Sequence, residues 1–406
     1  MKINTLNEHK IIVCSFTPFH MYGLASHLNK IGRLKFLITN YPKYKIREYK
    51  IDKNKLITFI VTGILLNILR KLPIYQTTFF RGAFVKFLCF YFCKSVKNFI
   101  QNLKDEKLIF WGMSGYCFEP ISEVNKKGGV SIVDFGSLSL EFQQELNFFY
   151  SRNTDYKPKK INKWMIERQE KEFIRANIVV VTSEFSKESF KKIGLDASKI
   201  IVKHPTPDLN YFRLNKKISK NSTFTFLFVG GLSLNKGIEF LCEAFSSEFS
   251  LEEATLKIVG GKVDKKYFNY LIKKFNHSNI LFLGTKNKKK LADYYNEADC
   301  TVLPSIADGF GKTVLESLSC GTPAICSNNV GAKDILPGQL SDLSWDPSDI
   351  ISIKKSLRYM FKNRLSNIKT RDFLADKYKY ENYIKRLKGE DEQVFLKIEQ
   401  YMNNGF

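Results

Sequence analysis

Pro304-Ser305-Ile306-Ala307-Asp308-Gly309-Phe310-Gly311-Lys312-Thr313-Val314-Leu315-Glu316-Ser317-Leu318-Ser319-Cys320-Gly321-Thr322-Pro323 decides the fold of this chain. The order is strand end, acidic residue, Gly-aromatic-Gly turn, helix with a second acid, then Gly-Thr-Pro into another strand. Asp308 stands at the strand-to-helix junction, and Glu316 lies about one turn inside the helix. Gly309 and Gly311 leave backbone N–H groups bare at the helix start. Those groups and the positive end of the helix dipole favour an anion such as a phosphate. A carboxylate one turn in accepts two hydrogen bonds from a sugar diol. Phosphate plus diol describes a nucleotide sugar.

Two series of short apolar strands alternating with helical segments surround this stretch. The first runs through Ile11–Ser15, Leu34–Thr39, Leu108–Trp111, Val130–Asp134, Ile178–Thr182 and Ile200–Lys203. The second runs through Phe224–Val229, Thr255–Val259, Ile280–Leu283 and Cys300–Leu303, with Ala324–Ser327 and Leu343–Trp345 as further short candidates. Between them, His204-Pro205-Thr206-Pro207-Asp208 and the polar stretch Asn215–Thr223 mark a domain boundary. Alternation of this kind implies parallel sheets covered on both faces by helices, with ligands at the carboxyl ends of the strands. The expected fold class is α/β, with two Rossmann-like, doubly wound parallel-sheet domains facing a cleft. The expected domains are residues 1–205, residues 206–370 and a C-terminal segment 371–406.

The motif resembles the family-4 retaining glycosyltransferases of GT-B fold (glycosyl transferases group 1). That family places two acids eight positions apart around Gly-Phe-Gly, then a helix and Cys-Gly-Thr-Pro. Here the acids are Asp308, where the family usually has Glu, and Glu316, followed by Cys320-Gly321-Thr322-Pro323. The turn Val229-Gly230-Gly231-Leu232-Ser233-Leu234-Asn235-Lys236-Gly237 is similar to the family's Gly-Arg-x5-Lys-Gly loop, with Gly231 at the Arg position. The resemblance implies that Lys236 holds the donor pyrophosphate, Asp308 the sugar hydroxyls and Glu316 the ribose. These three are the expected catalytic residues. Gly230, Gly231, Gly309, Phe310, Gly311, Lys312 and Thr313 complete the donor site, with Lys312 the candidate to replace the missing cation.

The first domain matches less closely. Val133-Asp134-Phe135-Gly136-Ser137 resembles a family branch reading Glu-Arg-Gly-Ser followed by His, with Phe135 for Arg and Ser139 at the His position. Ser15, Asp134 and Ser137 are the expected acceptor-side residues. The resemblance also implies a C-terminal helix that returns to the first domain, for which Arg371–Lys388 is the candidate; Gly389–Phe406 reads as a charged tail. The resemblance further implies front-face attack, with the donor phosphate taking the acceptor proton, so that no protein nucleophile is expected.

No Asp-x-Asp, zinc spacing, Walker loop or Gly-x-Ser-x-Gly elbow appears. A metal-independent enzyme without a resident cofactor is expected, with UDP or GDP carrying the donor sugar. The eight cysteines lack metal-ligand spacing and read as buried thiols of a cytoplasmic protein. Of the net charge of +24, +17 precedes Pro205. Residues 41–104 hold 13 Lys or Arg against Glu48 and Asp52, interleaved with Phe79, Phe80, Phe84, Phe87, Phe90, Tyr91, Phe92 and Phe99, with Pro73 as a break. Such a pattern suits an anionic membrane surface at its cytoplasmic face, or a solvated Lys-rich face; nucleic acid fits less well. The apolar run Leu56–Leu69 is shorter than the ~20 residues of a bilayer span. The expected function is sugar transfer with retention from a nucleotide sugar to a glycan or lipid-linked acceptor in bacterial surface polysaccharide or lipopolysaccharide synthesis. The alternative is a catalytically weakened GT-B relative serving as a binding or scaffolding subunit.

Overall fold

The computed structural model describes residues 10–16, 20–69, 78–104, 107–154, 156–219, 222–275, 279–364, 371–378 and 380–404. The expected break at Pro73 lies outside them. The first sheet contains β1 (Ile11–Ser15), β2 (Leu34–Thr39), β3 (Leu56–Thr58), β4 (Ile109–Met113), β5 (Val130–Phe135), β6 (Ile178–Val181) and β7 (Ile200–Val202). Its order is β3-β2-β1-β4-β5-β6-β7, parallel throughout. The second contains β8 (Phe224–Val229), β9 (Ala254–Val259), β10 (Ile280–Gly284), β11 (Cys300–Leu303) and β12 (Ala324–Cys326), in the parallel order β10-β9-β8-β11-β12.

Helices cover both faces. In the first domain these are α1 (His20–Lys30), α2 (Ile60–Leu69), α3 (Thr78–Gln101), α4 (Phe118–Lys126), α5 (Leu140–Tyr150), α6 (Lys163–Arg175) and α7 (Glu184–Lys192). Then follow α8 (Ile238–Glu248), α9 (Lys265–Lys274), α10 (Lys288–Glu297), α11 (Lys312–Ser319), α12 (Gly338–Asp342), α13 (Ile350–Lys362), α14 (Arg371–Lys377) and α15 (Tyr380–Asn404). Strand alternation explains the all-apolar strands. Ile11 and Val13 pack with Met21 and Trp111 on one face, while Ile12 and Cys14 pack with Phe92 and Phe110 on the other. All eight cysteines are buried and free of disulfides.

The apolar run Leu56–Leu69 divides into β3, which pairs with β2, and α2. Two local readings change. Leu343–Trp345 forms no strand; Trp345 is a core side chain whose carbonyl accepts the Asn328 N–H. The helix that returns to the first domain is also displaced along the chain. Leu374 of α14 packs in the core of the second domain, while Val394 and Ile398 of α15 are buried against the first sheet. The segment read as a tail is therefore the returning part. Val394, Ile398 and Tyr401 recur at helical spacing among the charges and form its apolar stripe.

The domains meet along a seam. Gly309 lies against Ser137, and a Cβ on it would sit 2.4 Å from the Ser137 Cα. Its carbonyl accepts the hydroxyls of Ser183 (2.5 Å) and Thr182 (3.2 Å). Beside the seam, Leu138, Phe142 and Tyr150 join the second domain's core, Tyr150 donates to Asp346 at 2.7 Å, and Tyr156 donates to Asp264 at 2.8 Å. The carboxyl ends of the two sheets thus face each other.

Replacing Ile398 by Ala is expected to cost about 2–5 kcal/mol of unfolding free energy in urea, because it leaves a cavity where α15 meets the first sheet. A loss under about 0.5 kcal/mol would show that this helix does not belong to that core.

Candidate functional site

The site is built on the segment between β11 and α11. Gly311 has φ +86°, and a Cβ there would meet Leu303 Cδ2 at 2.5 Å and Val330 Cγ1 at 2.8 Å. Only glycine suits that position. No side chain caps α11, so its first N–H groups lack a side-chain acceptor. Thr313 adds a buried hydroxyl with no hydrogen-bond partner.

The loop after β8 is tied to this segment. Asn235 O accepts the N–H groups of Ile306 and Ala307. Gly237 has φ +62°, and a Cβ on it would lie 1.9 Å from Pro304 O. That close approach brings the Lys236 ammonium to within 2.5 Å of Asp308 Oδ2. These two sequence-derived site candidates therefore form an ion pair.

Glu316 projects from the next turn of α11. Its Oε2 accepts the Tyr295 hydroxyl at 2.8 Å. Burial pushes its pKa up to about 7, against the opposing pull of Tyr295, Lys312 and Lys288. Lys312 precedes Glu316 by four residues and so shares its helix face. Its side chain keeps solvent contact although protein surrounds it, as expected of a cleft-lining group. Burial lowers its pKa, while Glu316 and Asp134 of the other domain raise it and Lys288 lowers it further. Lys288, at the start of α10, pairs with Asp208 at 2.8 Å.

Asp134 faces this cluster from the end of β5. It is nearly fully buried, and both of its oxygens are held. Oδ1 lies 2.6 Å from His20 Nε2, and Oδ2 accepts the Trp111 indole N–H at 3.0 Å. His20 opens α1 just beyond β1. Sequence reasoning missed it, although its place at a strand's carboxyl end was a usable signal. It also missed Lys288 and Tyr295, whose roles come only from packing. Ser139, at the position where His was expected, instead caps α5 by accepting the Phe142 N–H.

Other expected site residues are placed differently. Ser15 is fully buried, with its hydroxyl 3.5 Å from Met113 Sδ, so it lies within the strand ends and not on the acceptor surface. Phe310 is 2 % exposed and packs in the second domain's core, so its side chain cannot line a donor site. Gly309 and Ser137 meet at the seam, and Gly309 acts there through its carbonyl. Gly230 and Gly231 follow β8 and begin the loop carrying Lys236. A Cβ at Gly231 would meet only Val263 Cγ2, at 2.6 Å, and Val263 is exposed and free to yield.

Residues 212–385 match the family model described as glycosyl transferases group 1. The chain carries a glycosyl transferases group 1 domain. An uncharacterized glycosyltransferase of Methanocaldococcus jannaschii is 29% identical over 170 residues, which cover 39% of this chain and 42% of that protein. The chain thus spans less than half the length of the curated relatives it matches first. The fold similarity extends further. Sucrose-phosphate synthase from Thermosynechococcus elongatus superposes with a TM-score of 0.67 at 14% identity, covering 96% of this chain and all of that one. Anabaena HepE in complex with UDP and glucose gives 0.64 at 13% identity, covering 97% of this chain and all of that one. Both domains together therefore have the GT-B fold.

Tyr295 lowers the Glu316 pKa by donating to its ionised form. Replacing Tyr295 by Phe should move that titration above 7, as read from carbon-13 shifts of labelled glutamate with Glu316→Gln as the assignment control. A titration midpoint near 4.5 in the unmodified protein would contradict the burial described here.

Proposed function

We propose that this chain transfers a sugar, with retention, from a nucleotide sugar to a glycan or lipid-linked acceptor used in bacterial surface polysaccharide or lipopolysaccharide synthesis. The observation that carries the reading is the grouping of Lys236, Asp308, Lys312 and Glu316 around the uncapped start of α11, opposite Asp134. In this reading Glu316 accepts the ribose hydroxyls and Asp308 the sugar hydroxyls. Lys236 leaves Asp308 to meet the diphosphate. Gly231 provides no cation, so Lys312 supplies the second positive charge. Two lysines then stabilise the charge that grows on the leaving diphosphate, and no metal is called for.

The bond from the sugar's anomeric carbon to the phosphate oxygen breaks, and its electron pair stays with the nucleoside diphosphate. The acceptor oxygen bonds to the same carbon from the same face. The acceptor proton passes to the departing phosphate. His20, held by Asp134, orients the acceptor hydroxyl for that attack.

Thermal-shift measurements with UDP, GDP, ADP and CMP test the donor half. At least one should raise the melting temperature, and Glu316→Ala should abolish the shift. Affinity for the matching nucleotide sugar should also depend on pH, because only ionised Glu316 accepts both hydroxyls. Binding is expected to be strongest above pH 7 and to weaken by up to about tenfold per unit below it, with no such slope in Glu316→Gln. A flat profile from pH 6 to 8 would remove Glu316 from the ribose.

His20→Ala should lower kcat by about tenfold to a hundredfold while leaving donor affinity unchanged. An unchanged kcat would leave the His20–Asp134 pair a structural one. The ion pair already formed by Lys236 with Asp308, together with the missing Arg, also favours a second reading as a binding or scaffolding subunit. Nucleotide binding without any donor hydrolysis or transfer by the folded protein would support it.

A further inference from the structure

α2 turns its apolar side outward. Ile60, Val61, Ile64, Leu65 and Ile68 fall within an arc of about 140° at 100° per residue, and they are 37–53% exposed. Thr62, on the other side, is fully buried and donates to Phe59 O. An amphipathic helix in a soluble domain normally buries the face that α2 exposes. The neighbouring α3 repeats the pattern. Phe87, Phe90 and Tyr91 are 47–57% exposed, with Lys86 and Lys94 exposed on the same side. Leu88, Cys89, Phe92 and Cys93 form its buried side. Phe87 and Phe90 also rim a hollow of about 410 Å³ between α3, α4 and α6, where the Lys86 ammonium lies 5.7 Å from the centre of the Trp164 ring.

Apolar patches of this extent are rare on a soluble monomer and mark an interaction surface. Charge identifies the partner. Residues 41–104, which contain both helices, carry 13 Lys or Arg against two acids. No helix among the described residues is long and apolar enough to cross a membrane. Aliphatic and aromatic groups flanked by lysines, on helices that lie along a surface, match the chemistry of an anionic lipid headgroup layer.

We propose that the outward faces of α2 and α3 seat the protein on an anionic bilayer, with the aliphatic residues of α2 and Phe87, Phe90 and Tyr91 entering the headgroup layer. α2 leaves the carboxyl end of β3, the end of the sheet that faces the second domain. A bilayer bound there lies beside the mouth of the cleft. The consequence for a lipid-linked acceptor rests on the glycosyl-transfer reading; the surface itself does not.

Co-flotation with vesicles tests the surface. The full chain should float with phosphatidylglycerol–phosphatidylcholine vesicles and not with pure phosphatidylcholine, and 0.5 M salt should weaken the binding about tenfold or more. The double variant Ile64→Asp, Phe90→Asp should lose tenfold or more in partitioning while keeping its unfolding midpoint and its nucleotide thermal shift. Lys86→Glu with Lys94→Glu should lose a similar factor. No flotation with the anionic vesicles, or equal flotation of the aspartate variant, overturns the proposal. So does a concentration-dependent dimer that Ile64→Asp dissolves, which would make a second copy the occupant. Vesicle binding without any nucleotide shift would count against the donor reading alone.

Discussion

The close approach of Gly309 to Ser137 is the constraint on which the rest depends. A side chain at Gly309 would enter the Ser137 backbone, and backbone cannot swing aside as a side chain can. The two hydroxyls bonded to the Gly309 carbonyl come from the end of β6 and the start of α7. One peptide of the second domain is therefore held by three elements of the first. Gly331 continues the contact, since a Cβ on it would lie 2.2 Å from both Gly309 O and Ser183 Oγ. This packing sets α11 and its charges opposite Asp134.

The chain crossing between the domains is secured from a distant part of the sequence. The His204 N–H donates to Glu390 at 2.7 Å, its ring Nδ1 lies 2.6 Å from the same carboxylate, and Lys203 pairs with Asp391 at 3.0 Å. The His204 ring also meets Phe310 edge-on, with centroids 5.7 Å apart. The returning helix α15 thus holds the crossing, and the crossing packs against Phe310 of the Gly-Phe-Gly turn. Glu390 and Asp391 look like ordinary surface acids until this docking is seen.

Charge in the cleft is closely paired. Asp308 holds Lys236, and burial raises the Glu316 pKa to about 7 because it outweighs the cationic and hydroxyl neighbours. No side chain accepts from the N–H groups at the start of α11, and the buried Thr313 hydroxyl takes no part in these pairs. Cations, carboxylates and unclaimed donors therefore converge on one turn of helix.

Asp308, Lys312 and Glu316 were legible in the sequence because one strand-turn-helix segment carries all three, and local spacing fixes their relation. Lys236 was legible from its glycine turn, and the parallel sheets from the alternation of apolar strands with helices. His20 on α1 and Lys288 and Tyr295 on α10 were not legible, because they lie outside the segment that carries Asp308 and Glu316 and acquire their partners only when the sheets are wound. Ser15 and Phe310 were misplaced for the same reason: their motif positions are right, but neighbouring elements cover their side chains. The stripe of Val394 and Ile398 was hidden among charges, and only docking against the first sheet gives it meaning. The sequence alone determined the parallel α/β architecture and the local spacing of Asp308, Lys312 and Glu316, since periodicity, glycine geometry and short-range spacing act within one segment. Tertiary structure decided which carboxylate pairs with which cation, and which faces stay bare to solvent. Those outcomes depend on burial and on contacts between residues far apart in the chain, such as Lys236 with Asp308 and His20 with Asp134.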